Sequence, residues 1–121
     1  MARLTMLLCH SPFHNESVDE AIEIGREALA RGHSLDIYLM MDGVYCVYNG
    51  QSGEPFNVEA VYKRLADLMA EGARVVVCRV CAELRGISED VTPRGVEVGG
   101  LYDLSESISN SDAVLSFSGR G

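Results

Sequence analysis

Short apolar runs alternate along this chain with stretches whose apolar residues recur every three to four positions, and that alternation limits what it can fold into. A short β-branched run fits a buried strand, and a helical stripe fits a helix that covers one face of a sheet. Taken in turn, the two build a mainly parallel sheet whose right-handed crossovers lay helices on its faces. The clearest run is Arg74-Val75-Val76-Val77-Cys78. Residues 4–9 form an earlier apolar run, and in residues 34–40 Leu35, Ile37 and Leu39 alternate. Val18, Ala21, Ile22, Gly25, Ala28 and Leu29 share one helical stripe. Gly32 ends it, and Ser17-Val18-Asp19-Glu20 reads as a capping box at its start. Asn57 precedes a second stripe, Val58, Val61, Leu65, Leu68 and Met69, which Gly72 stops.

Residues 41–56 are broken by the turn signals Asp42-Gly43, Asn49-Gly50 and Ser52-Gly53. A short helix after Cys78 closes at Gly86, and residues 93–100 form a loop with a short strand at 96–98. Leu101, Leu104 and Ile108 mark a last helix, and residues 112–117 a last strand. The pattern predicts an α/β fold in one domain over residues 1–121, a length that leaves little room for two. In such open sheets, sites lie beyond the carboxyl ends of the strands. Cys9 and Cys78 end the first and third strand candidates and would open on that edge.

Charge narrows the function classes. The formal net charge is −8, and Lys63 is the one lysine, so broad phosphate binding and direct nucleic-acid binding are not expected. Neither GxGxxG nor a Walker pattern occurs, which leaves a nucleotide-cradling loop without support. No apolar stretch approaches a membrane span. The first ten residues lack a full signal-peptide core and cleavage site, so a cytoplasmic location is expected and the four cysteines are read as intracellular.

Two of those cysteines stand in Cys78-Arg79-Val80-Cys81, between a strand and a helix. A helix start and nearby cations, here Arg79 and Arg85, favour thiolate, and a strand end is open to a sulfur donor. A second thiol nearby can attack a persulfide or close a disulfide. The alternative is that both cysteines are small buried apolar residues. A structural zinc site would need a second paired ligand cluster, which Cys9, His10, His14 and Cys46 do not supply at the usual spacing, so neither metal nor cofactor is expected. His10 and Tyr45 are candidates to flank the site; otherwise His10 is an exposed loop residue and Tyr45 an interface residue.

The run from Val76 to Ile87, with its strand-terminal Cys78 and its Leu84-Arg85-Gly86, resembles the active-site segment of the DsrE/DsrF-like (TusD-like) sulfur-relay family. Met41-Asp42-Gly43-Val44-Tyr45 is similar to the Gly-Val-Tyr segment of that family, and residues 100–117 to its last helix and strand. Two features depart from the pattern. Glu83 stands where Leu-Arg-Arg would begin, and the chain ends in the polar tail Ser118-Gly119-Arg120-Gly121. The resemblance implies a three-layer α/β/α sandwich on about five parallel strands. It further implies a sulfur carrier or sulfurtransferase passing persulfide sulfur through Cys78 between a protein donor and acceptor. Cys81 matches no obligatory position of that family; on the residue reading it would resolve the persulfide, and Arg79, Arg85, His10 and Tyr45 are candidates to bind substrate or partner. Homo-oligomers (trimers or hexamers) or hetero-oligomers are implied as well. The other readings are a non-catalytic scaffold subunit of a relay complex and a thiol–disulfide redox protein.

Overall fold

The β-branched run becomes β3 (Arg74–Cys78) of a five-stranded sheet in the computed structural model, which describes residues 1–119. Arg120 and Gly121, the end of the polar tail, lie outside the described residues. The other strands are β1 (Arg3–Leu8), β2 (Ser34–Leu39), β4 (Glu97–Gly99) and β5 (Ala113–Phe117). All neighbours pair in parallel, in the order β4-β3-β2-β1-β5. The helices are α1 (Ser17–Ala30), α2 (Val61–Ala70), α3 (Arg79–Leu84) and α4 (Leu101–Ser109). The expected α/β/α sandwich with a parallel sheet is therefore observed.

Side-chain alternation divides the sheet into two chemically different faces. Met6, Leu8, Leu35, Ile37, Leu39, Val75 and Val77 join Val18, Ile22, Leu65 and Leu68 in one buried apolar core. Gly25 lets α1 sit close there: a Cβ would lie 2.8 Å from Leu35 Cδ2 and 3.2 Å from Met6 Cε. The first three crossovers step one way from β1 to β4, and the last returns past β1 to β5. That reversal carries α4 to the opposite face. There Ser107 donates to Asp36 Oδ2 at 2.9 Å and lies 3.2 Å from the Tyr38 hydroxyl, while Thr5 Oγ1 donates to the Ser107 carbonyl at 3.4 Å. Arg3 pairs with the same Asp36 oxygen at 3.1 Å.

Local differences from the sequence pattern have physical causes. The capping box at Ser17 does not form: Glu16 is the N-cap, and the Ser17 N–H is taken by Asn15 Oδ1 at 2.9 Å. The second stripe begins at Val61 rather than Val58, because Asn57 is left-handed (φ 57°) after a 3₁₀ turn at Glu54–Phe56 and Ala60 is extended. In α4 the buried residue is Ser107, whereas Leu101 is 72 % exposed, so the apolar stripe does not point at the sheet.

Candidate functional site

Because the strands are parallel, the residues that follow them gather at one edge: Cys9-His10 after β1, Met40-Met41 after β2, Arg79 after β3, and Gly100-Leu101 after β4. β3 runs into α3 without a loop, and Cys78 is both its last strand residue and the N-cap of the helix. It is half-buried and opens on a groove of about 570 Å³. Met40, Met41, Val80, Val98 and Leu101 give this groove apolar walls, and Arg79 and Asp103 its charges. Asp103 is engaged with the Gly100 N–H at 2.9 Å, and Arg79 is exposed, with no ion pair among the described residues. Gly99, the register partner of Cys78, keeps the floor low: a Cβ there would lie 2.8 Å from Asp103 Oδ2 and 2.9 Å from Val76 Cγ1. A recess of about 500 Å³ between α1 and α2 carries no thiol.

Cys81 lies one turn into α3 and is only 8 % exposed, packed into the main core. Burial raises its thiol pKa, and the neighbouring Cys78 sulfur adds to that rise. The Met41 N–H, directed at the Cys81 sulfur, and Arg85 act in the opposite direction. Met41 itself holds a left-handed backbone (φ 52°), uncommon for a side chain of its kind. Arg85 is committed internally, its Nε donating to Asp42 Oδ1 at 3.0 Å and its Nη1 to the Cys81 carbonyl at 3.1 Å.

Two expected neighbours, His10 and Tyr45, occupy other places. His10 stands two strands from β3, near the reversal of strand order between β1 and β5. Its Nε2 bridges that gap to the Gly119 carbonyl at 2.6 Å, and its ring lies edge-on to His14 with centroids 5.6 Å apart. Tyr45 is half-buried against the core on a 3₁₀ turn over Met41–Val47 and does not line the groove at Cys78. Cys46, on the same turn, is buried; its thiol donates to the His10 carbonyl at 3.4 Å and is pushed up to about 12 by burial. Cys9 is partly exposed; burial raises its pKa first, and the charge of Cys81 raises it further. All four cysteines are free. Among the described residues no group of three or more His, Cys, Asp or Glu is placed to hold a metal ion.

The sequence pattern missed the groove walls contributed by Met40, Val98, Gly99 and Leu101. The signal was the sheet itself, since residues after adjacent parallel strands share an edge. It also missed Gln51, whose Nε2 caps the Tyr48 carbonyl at 2.9 Å while its Oε1 takes the Val61 N–H at 3.0 Å. That one amide ties the 3₁₀ turn to the start of α2.

The sequence profile of the DsrE/DsrF-like family matches residues 2–117. An uncharacterised protein of Methanopyrus kandleri is 31 % identical, over 94 % of this chain and 93 % of that protein. The crystal structure of the YchN protein from Escherichia coli superposes with a TM-score of 0.82 at 28 % identity, covering 97 % of this chain and all of the other. The sulfurtransferase TusD of Cronobacter sakazakii is 22 % identical over 95 % of this chain and 99 % of its own.

Proposed function

We propose, from the premise that this chain belongs to the DsrE/DsrF-like family, that it relays sulfane sulfur through a persulfide on Cys78. One observation carries the reading: of the two cysteines in the Cys-x-x-Cys pair, Cys78 alone opens on the apolar groove at the sheet edge, while Cys81 is buried behind it. A distant relative named as a sulfurtransferase supports the choice of chemistry.

The relay conserves atoms and electrons. Cys78 thiolate attacks the terminal sulfur of a donor persulfide; a new S–S bond forms, the donor S–S bond breaks, and the donor leaves as thiolate. An acceptor thiolate then attacks the terminal sulfur on Cys78, and Cys78 thiolate leaves. Arg79, the exposed cation of the groove, lies where it would balance the charge of the terminal sulfur. The apolar walls suit a protein donor and acceptor better than a charged small molecule. Leu101 at 72 % and Tyr102 at 91 % exposure fit burial against another subunit, either a second copy or a different partner.

A resolving role for Cys81 is a separate step. Its attack on the inner sulfur of the Cys78 persulfide would expel hydrosulfide and leave a disulfide that a reductant must reopen. Its burial and raised pKa work against that step at neutral pH. The free cysteines fit a reducing, cytoplasmic setting, and no helix among the described residues is long and apolar enough to cross a membrane.

Intact-mass analysis after exposure to a cysteine desulfurase and cysteine tests the reading. A gain of about 32 Da, one sulfur atom, is expected in the wild type and in Cys81→Ser, and none in Cys78→Ser. Equal loading of Cys78→Ser would sink the proposal.

A further inference from the structure

We infer that Arg85 and Asp42 form a positioning clamp that holds Met41 against the groove and so sets which reagents reach Cys78. The inference rests on Cys78 being the reacting atom. It also gives Arg85 a different job from contacting a partner.

The backbone at Met41 needs holding. Met41 has φ 52°, a region that favours glycine, and its exposed side chain forms a wall of the groove. On one side this segment is pinned to the end of β1. The Met40 N–H donates to the Leu8 carbonyl at 3.1 Å, and the Gly43 N–H to the Met40 carbonyl at 2.8 Å. Gly43 is pressed so tightly onto β1 that a Cβ would lie 2.0 Å from Leu8 O. On the other side the Arg85 guanidinium links the segment to α3, beside the Met41 N–H that faces the Cys81 sulfur. Arg85 Nε binds Asp42, the residue after Met41, and Arg85 Nη1 binds the carbonyl of Cys81. The helix so gripped begins at Arg79, next to Cys78. One fork therefore spans the two walls between which Cys78 reacts.

A planar fork can fix two partners at once, which a lysine ammonium does not do with the same geometry. The Asp42 side chain is 61 % exposed and that of Arg85 24 %, so the pair is open to screening by salt. Without the clamp, Met41 is held only by the turn at Met40–Gly43 and the Cys81 sulfur, leaves its left-handed conformation more readily, and the groove widens. Bulky reagents then gain on small ones. A residue that merely stabilised the fold would change both rates together.

The test measures the rate of Cys78 alkylation by iodoacetamide and by N-phenylmaleimide, read on the Cys78 peptide by mass spectrometry. It compares the wild type with Asp42→Asn, Arg85→Lys, Arg85→Ala and the Asp42→Asn/Arg85→Ala double variant. The bulky-to-small rate ratio is expected to rise about threefold in each single variant, a size an exposed pair can set, with no further rise in the double. High salt should raise the wild-type ratio and leave Asp42→Asn unchanged. If Arg85→Ala fails to fold, Asp42→Asn and the salt series decide alone. A ratio that is unchanged or lowered in Asp42→Asn, or effects that add in the double variant, would overturn the inference. The readout needs no sulfur loading, so a protein that alkylates with the expected ratios yet takes up no sulfur defeats the relay reading and leaves the clamp standing.

Discussion

Replacing Gly43 with alanine should damage the protein far more than one methyl group suggests. Gly43 is buried where the 3₁₀ turn crosses the end of β1. The added Cβ would stand 2.0 Å from Leu8 O and 3.2 Å from Cys9 Cα. Both obstacles are backbone, and Leu8 O is fixed by accepting the Met40 N–H. The turn must therefore move about 1 Å, at a cost typical of overpacking, and the hydrogen bonds from Met40 and Gly43 stretch with it. Together these give a loss of about 3 kcal/mol, a large share of the 5–15 kcal/mol that holds a domain of this size. The melting temperature should fall by about 10 °C. Gly100→Ala is the control: nothing lies within 4 Å of where its Cβ would stand, and its φ of −135° suits any residue. Urea denaturation of both variants beside the wild type measures the difference. A Gly43→Ala variant as stable as Gly100→Ala would refute the steric origin of the loss.

On the α4 face, Ser107→Ala should cost about 1–2 kcal/mol in chemical denaturation, because the buried Asp36 carboxylate loses a donor at 2.9 Å; a neutral result would mean the Arg3 contact suffices. Cys46 should make stability fall at alkaline pH. Its folded pKa of about 12 exceeds the ordinary 9.0, so the folded state holds the proton more tightly; its contribution is complete below about pH 9 and is lost as pH approaches 12. The slope approaches about 1.4 kcal/mol per pH unit and should be shallower in Cys46→Ala, and identical slopes from denaturation at several pH values would contradict the assignment. In the folded protein Cys46 should also resist iodoacetamide under conditions that label Cys78, and reversal of that order would argue against Cys78 as the accessible thiol.

What could be read in the sequence is what repeats locally. The β-branched run at Arg74–Cys78 and the stripe Val18, Ala21, Ile22, Gly25 became β3 and the buried face of α1, since a strand and a helix each advertise their own period. Cys78 at the edge followed from the same periods. The walls around it did not, because Met40, Val98 and Leu101 come together through strand order, which no local pattern encodes. Residues 41–56 were illegible as structure for a related reason. Their 3₁₀ turns rest on side-chain and tertiary contacts, the Gln51 amide and the end of β1, rather than on any repeat. The stripe of α4 misled about direction: Leu101 and Ile108 do mark a helix, but a polar network around Asp36 and Tyr38 draws Ser107 inward and leaves those apolar side chains outside. His10 was placed near the site by its position after β1, and two strand widths separate it from Cys78.

Persulfide relay through Cys78 turns on which sulfur carries the extra atom. Treating the protein with a glutathione persulfide, alkylating, digesting and mapping the added sulfur by peptide mass spectrometry reads this directly. The added sulfur is expected on the peptide containing Cys78, with the adduct fragmenting to that residue rather than to Cys81. Sulfur found on Cys81, on Cys9 or on Cys46 while Cys78 still alkylates freely would contradict it.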